Sequence, residues 1–162
     1  MTCTARRLSC SLHIFLFGLI PTATAAAALE WTVSTGPYLE ARSTEHESDA
    51  SLRAICRNAA TVELRVGAQE QVGKGEGEKV ALTFKSDGRE AVVRGLSKWS
   101  DDSEMTGGTE LVTEVKTSDP LFSVLQTGKA VRLSGSLAKP AIWEAKGMAP
   151  SVKKFLERCR AR

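Results

Sequence analysis

Between Glu30 and Lys116, apolar side chains recur mostly at every second position. That period restricts such a chain to strands with one buried face, joined by turns. Trp31 and Val33 begin the pattern in Glu30–Thr35, and Gly36-Pro37 ends it. Leu52, Ala54 and Cys56 then alternate with Arg53, Ile55 and Arg57, and Asn58-Ala59-Ala60 reads as a turn. Val62, Leu64 and Val66 alternate with Glu63 and Arg65, so Cys56 falls on the inward face of the first strand of a hairpin. A second hairpin runs through Val80, Leu82 and Phe84, turns at Ser86-Asp87-Gly88-Arg89 and returns over Ala91–Leu96. Leu111–Lys116 is a further strand. The polar stretches Arg42–Asp49 and Ser100–Thr109 read as exposed loops, and Gly73–Glu78 as a flexible connection.

The period then changes. Asp119-Pro120 has the form of an N-cap followed by proline in the first helical turn, Leu121, Val124 and Leu125 share one helical face, and Gly128 ends the segment. Ala130–Leu133 and Ala141–Ala145 read as short strands separated by Gly135 and Pro140. From Gly147 onward, Met148, Val152, Phe155, Leu156 and Cys159 form one apolar stripe of an α-helix. Pro150 suits its first turn, and Arg158, Arg160 and Arg162 lie at its negative end.

Ahead of all this stands a segment of another kind. Arg6-Arg7, the apolar run Leu12–Ile20, Pro21 and the small-residue tract Thr22–Ala28 have the layout of a secretory signal peptide. Small-x-small cleavage sites occur at Ala23-Thr24-Ala25 and at Ala26-Ala27-Ala28. The apolar run is too short for a permanent span. The expected organisation is a signal peptide over residues 1–28 and a single β-rich exported domain over residues 29–162. The leader carries two of the 22 basic residues and none of the 19 acidic ones, so its removal lowers the net charge from +3 to +1. A chain that close to neutrality is not built for nucleic acid.

Cys3 and Cys10 leave with the leader. Cys56 and Cys159 remain, about a hundred residues apart. In an oxidising periplasmic or secreted location an even pair reads as one structural disulfide, and the spacing is far from that of a redox motif. One cysteine lies on an inward strand face and the other on the apolar stripe of the last helix, so a bond between them would tie that helix to the sheet. The fold class expected is α+β or mainly β: an antiparallel sheet or sandwich of roughly six to eight strands, one short helix and a C-terminal amphipathic helix held by the Cys56–Cys159 disulfide.

Groups that carry chemistry are sparse. The remaining chain holds one histidine, His46, within Glu45-His46-Glu47, and neighbours on an extended chain point to opposite faces. No second histidine completes a zinc set, and neither cysteine is expected to be a free nucleophile. Asp101, Asp102 and Glu104 form an acidic loop without the glycine placement of a calcium loop. With Glu110 or Glu114 they offer carboxylate pairs of the kind a glycosidase uses, a pattern any acid-rich chain contains. Gly73, Gly75 and Gly77 lack the spacing of a phosphate cradle, and Glu76 and Glu78 would repel phosphate. No catalytic, cofactor-binding or metal-binding residue is therefore assigned, and no cofactor is implied. Trp99, beside Lys98, is a candidate exposed anchor for a partner, whereas Trp31 and Trp143 sit in strand patterns as core residues. Lys153, Lys154, Arg158, Arg160 and Arg162 could touch an anionic surface, but dipole compensation and solubility explain them more simply.

An early Trp31, a mid-chain Cys56 on a strand, Gly147 and the closing Phe155-Leu156-Glu157-Arg158-Cys159 resemble small exported proteobacterial proteins. In outline the chain is similar to invasion-associated locus B-like proteins and to type VI secretion-associated periplasmic proteins. The resemblance implies a periplasmic β-rich accessory domain and carries over no catalytic residue. The functional expectation is a non-enzymatic binding or accessory protein of envelope, secretion-system or inhibitor/immunity type, whose partner is another envelope or secreted protein. The alternative is a small carboxylate-based secreted hydrolase.

Overall fold

The computed structural model describes residues 26–44, 50–67, 71–100 and 108–162. Residues 1–25 of the expected signal peptide, His46, Asp101, Asp102 and Glu104 lie outside the described residues.

Nine strands form one sheet: β1 (Leu29–Val33), β2 (Tyr38–Ser43), β3 (Ala50–Cys56), β4 (Thr61–Val66), β5 (Glu76–Ser86), β6 (Arg89–Trp99), β7 (Thr109–Lys116), β8 (Val131–Gly135) and β9 (Ala141–Trp143). Their spatial order is β1-β2-β3-β4-β7-β6-β5-β8-β9, and all eight pairings are antiparallel. Alternating directions across nine strands leave the first and last running the same way. The ends of the sheet do meet in parallel fashion: Ala27 N–H donates to Ile142 O at 2.7 Å, and Glu144 N–H donates to Ala27 O at 3.0 Å. The sheet is thus rolled into a nearly closed barrel. Closure removes the raw edges that an open sheet would expose.

This corrects the sandwich form of the expected fold and the strand number. The extra strand is β2, whose outer half had read as loop. It brings only Leu39 and Ala41 inward, both fully buried, while Glu40 and Arg42 point outward. Its place comes from pairing with β1 and β3 on either side, with a bulge between Ala41 and Arg42. Tertiary pairing supplies what its own side chains barely signal.

Elsewhere the alternation holds. Leu52, Ala54 and Cys56 on β3, Val62, Leu64 and Val66 on β4, and Val80, Leu82 and Phe84 on β5 all face the interior. Asn58 turns β3 into β4, its Oδ1 accepting from the N–H groups of Ala60 and Thr61, both at 2.9 Å. Asp87 and Gly88 join β5 to β6 with positive φ values of 48° and 75°, the backbone form a two-residue hairpin loop requires. The strand β5 begins at Glu76, within what the glycine spacing marks as a connection.

The two helices close one end of the barrel. Helix α1 (Pro120–Leu125) starts where Asp119 Oδ1 accepts from Leu121 N–H at 2.9 Å, with proline in its first turn. Helix α2 (Met148–Arg160) starts at Gly147, whose φ of 76° suits glycine. All five residues of the apolar stripe, Met148, Val152, Phe155, Leu156 and Cys159, are buried. Phe122 of α1 meets Phe155 of α2 with ring centroids 6.3 Å apart. Cys159 is bonded to Cys56 with Cα atoms 5.6 Å apart, so α2 is tied to β3. At the helix end the Arg158 guanidinium donates to Ser34 O, fastening α2 to the β1–β2 turn as well. No helix among the described residues is long and apolar enough to cross a membrane.

Candidate functional site: the loop end of the barrel

Large side chains pack the interior between the described strands. Trp143 is fully buried, with its ring edge-on to Trp31 at 6.1 Å and to Phe84 at 5.9 Å between centroids. The helices lie across one end of the barrel, and the connections gather at the opposite end. There β2, β4, β6 and β8 finish and their connections leave.

Residues 71–75 fold back into that end as a plug. Val72 is fully buried. Its N–H donates to Thr109 Oγ1 at 2.8 Å, and its carbonyl accepts from Ser97 Oγ at 2.5 Å. Ser97 Oγ in turn accepts from Gly75 N–H at 2.8 Å. On the other side Gly73 N–H donates to Ser136 O at 3.1 Å, and Ala138 N–H to Gln71 O at 3.2 Å. The run of glycines is therefore an ordered turn on a polar triad of Ser97, Thr109 and Ser136. Gly75 has φ of 82°, and a Cβ there would lie 2.9 Å from Thr109 Cγ2 and 3.0 Å from the Trp99 ring.

Glu78 organises the same turn. Its carboxylate accepts from Lys74 N–H, and from Glu76 N–H at 3.0 Å. The Lys74 backbone bond is the main reason its carboxyl is held below the ordinary glutamate range. A carboxylate so held is a structural acceptor, and proton delivery at neutral pH would need the opposite shift. Between this turn and the β8–β9 connection lies a shallow cavity of about 490 Å³, lined by Gln71, Lys74, Glu76, Glu78, Ser136 and Leu137 among others. Against Gly75, Trp99 stands 54% exposed at the end of β6, while Trp31 and Trp143 are buried. The exposure expected for Trp99 and the burial expected for Trp31 and Trp143 are both observed.

A second concavity opens on the barrel wall. Strands β6 and β7 pair only from Leu96–Val112 to Trp99–Thr109, then diverge. Gly95 marks the fork, where a Cβ would come within 2.5 Å of Val112 O. The groove below has about 410 Å³ and is lined by Val92, Arg94, Glu114, Lys116, Asp119 and Pro120 among others.

Several charged residues on the outer wall of β2, β3, β4 and β7 are committed to one another. Glu40 is paired with Arg42 at 2.8 Å and with Arg53 at 3.6 Å, and accepts from the Tyr38 hydroxyl at 3.1 Å. Burial first, and the Glu40 carboxylate next, push the Tyr38 hydroxyl above its usual pKa. Arg65 bridges Glu63 at 3.0 Å and Glu110 at 3.1 Å, and Arg57 closes on Glu63 from the other side. Burial works to raise the Glu63 carboxyl, but the hydrogen bonds and charges of Arg65 and Arg57 outweigh it and hold it below the ordinary range. Glu110, one of the carboxylates considered for hydrolysis, is thus a buried partner of Arg65. Glu114 faces Glu63 across the β4–β7 pair, on the same face as Glu110 but four residues along, with Cα atoms about 13 Å away. No group of three or more metal-ligating side chains comes together among the described residues.

At the point where a relative would be recognised, none is: no protein family matches the chain, and no characterised protein or solved structure is significantly similar to it.

Proposed function

We propose that this chain is exported and acts, in the periplasm or secreted space, as a non-enzymatic binding or accessory protein. On this reading the loop end of the barrel engages another envelope or secreted protein. The observation that carries it is Trp99, a large aromatic ring left more than half exposed at the end of β6, against the Gly75 turn. Rigid aromatic rings at the centre of a patch supply much of the energy of protein recognition. The filled interior argues against a small ligand carried inside the barrel. The arginine-bound state of Glu63 and Glu110 and the backbone-bound state of Glu78 argue against these three as catalytic acids. The buried disulfide agrees with an oxidising location.

The test uses the oxidised, processed protein immobilised and exposed to an envelope extract of the producing cell. A specific component should be retained by the native protein and by a Lys153→Ala control at the helical end. It should be lost with Trp99→Ala. Equal retention by the native protein and Trp99→Ala would refute the assignment of this surface.

A further inference from the structure

The geometry points to the Ala25–Ala26 peptide bond as the place where a leader peptidase releases the mature protein. This inference rests on the export reading and sharpens it, because the barrel itself needs residues that a later cut would discard. Small-x-small sites of the Ala-x-Ala form precede the domain, ending at Ala25, at Ala27 and at Ala28. On leader pattern alone they are equivalent. The fold separates them.

Ala27 is the residue that closes the barrel. Its N–H and C=O make the two bonds, to Ile142 O at 2.7 Å and from Glu144 N–H at 3.0 Å, that join the first stretch of chain to β9. Ala28 O accepts from Thr44 N–H at 3.1 Å and from the Thr44 hydroxyl at 3.3 Å, extending the β1–β2 ladder by one step. A cut after Ala27 would remove the closing residue, and a cut after Ala28 would remove both residues. The Ile142 carbonyl and the Glu144 N–H would lose their partners, and β9 would become an open edge. The cut after Ala28 would also place a new α-ammonium on Leu29, whose side chain is only 5% exposed and belongs to the core. A cut after Ala25 has none of these costs. It begins the chain at Ala26, which is exposed, and leaves Ala27 as an internal residue with both backbone groups available.

The reaction is amide hydrolysis. Water adds to the Ala25 carbonyl carbon, the C–N bond to Ala26 breaks, Ala25 leaves as a carboxylate with the leader, and Ala26 keeps its nitrogen as an α-ammonium. The residues flanking the bond satisfy the peptidase, with Ala23 and Ala25 as the two small side chains.

The experiment is intact mass and N-terminal sequencing of the full-length chain expressed in an exporting bacterial host. A mature protein beginning at Ala26 is the expected result. A beginning at Ala27 or any later residue would overturn the assignment while leaving export standing. An uncleaved chain beginning at Met1 would overturn both, so the two failures are told apart. As a second measurement, oxidised chains beginning at Ala26 and at Leu29 are compared in thermal unfolding. The shorter one should melt lower by on the order of 5–10 °C, from the lost closing bonds. Equal melting temperatures would also overturn the assignment.

Discussion

Breaking the Cys56–Cys159 bond tests the architecture most directly. The bond closes a loop with a sequence separation of 103. In the chain-entropy treatment, opening a loop of that length frees the unfolded state by about 4.7 kcal/mol. That is a large share of the roughly 5–15 kcal/mol by which a domain of this kind is stable. Both sulfurs are buried, Cys56 at 3% exposure and Cys159 fully, so native-state reductant should reach the bond only through unfolding or local opening of α2. The assay is urea unfolding followed by tryptophan emission, comparing the native protein with the Cys56→Ala/Cys159→Ala double variant, which avoids a stray thiol. With an m-value of about 2 kcal/mol/M, the midpoint should fall by roughly 2 M. A fall of less than about 0.5 M at unchanged m would refute the reasoning. It would mean that α2 is held by packing alone, or that the unfolded chain is already constrained.

Two further outcomes follow from particular contacts. Trp143→Ala should cost about 3–5 kcal/mol in chemical denaturation, because it empties the junction of Trp31 and Phe84. Trp143→Phe should cost distinctly less, since the indole N–H has no hydrogen-bond partner among the described residues. The Glu63 carboxyl titrates lower in the folded state than in the unfolded chain. Its contribution to stability is therefore present above the ordinary glutamate range near 4.5 and is lost as pH falls through the depressed folded value. Glu63→Gln should flatten that acid limb of a stability-versus-pH curve, and an unchanged limb would refute the role given to Arg57 and Arg65.

How far the fold was legible depended on whether each element carried its own pattern. The β3–β4 and β5–β6 hairpins have three inward apolar residues on at least one strand and unambiguous turn residues, Asn58 and Asp87-Gly88. The stripe from Met148 to Cys159 showed both the last helix and the face that carries the sulfur. The strand β2 was not legible, because Leu39 and Ala41 are a short inward set and the pairing that defines the strand is with distant residues. One missing strand changed more than a count. Eight strands can be arranged as two facing sheets, whereas nine in one alternating sheet bring β1 and β9 together in parallel. At the loop end, the exposure of Trp99 was readable from its neighbourhood in sequence. The seating of Val72 between Ser97 and Thr109 was not, since it joins segments that no local pattern relates. Gly73 and Gly75 carried a signal read as flexibility, although their positive φ values serve a fixed turn.

The single parallel seam has a consequence for how the molecule can be made. Ala27 is synthesised long before its partner Ile142, so the last stave cannot be fitted until β9 has been made. Local hairpins form first, because their loops cost least to close. Until the tail arrives, the first strand waits with one flank bare, and helix α2 and its sulfur follow directly behind β9 to lock the finished cylinder.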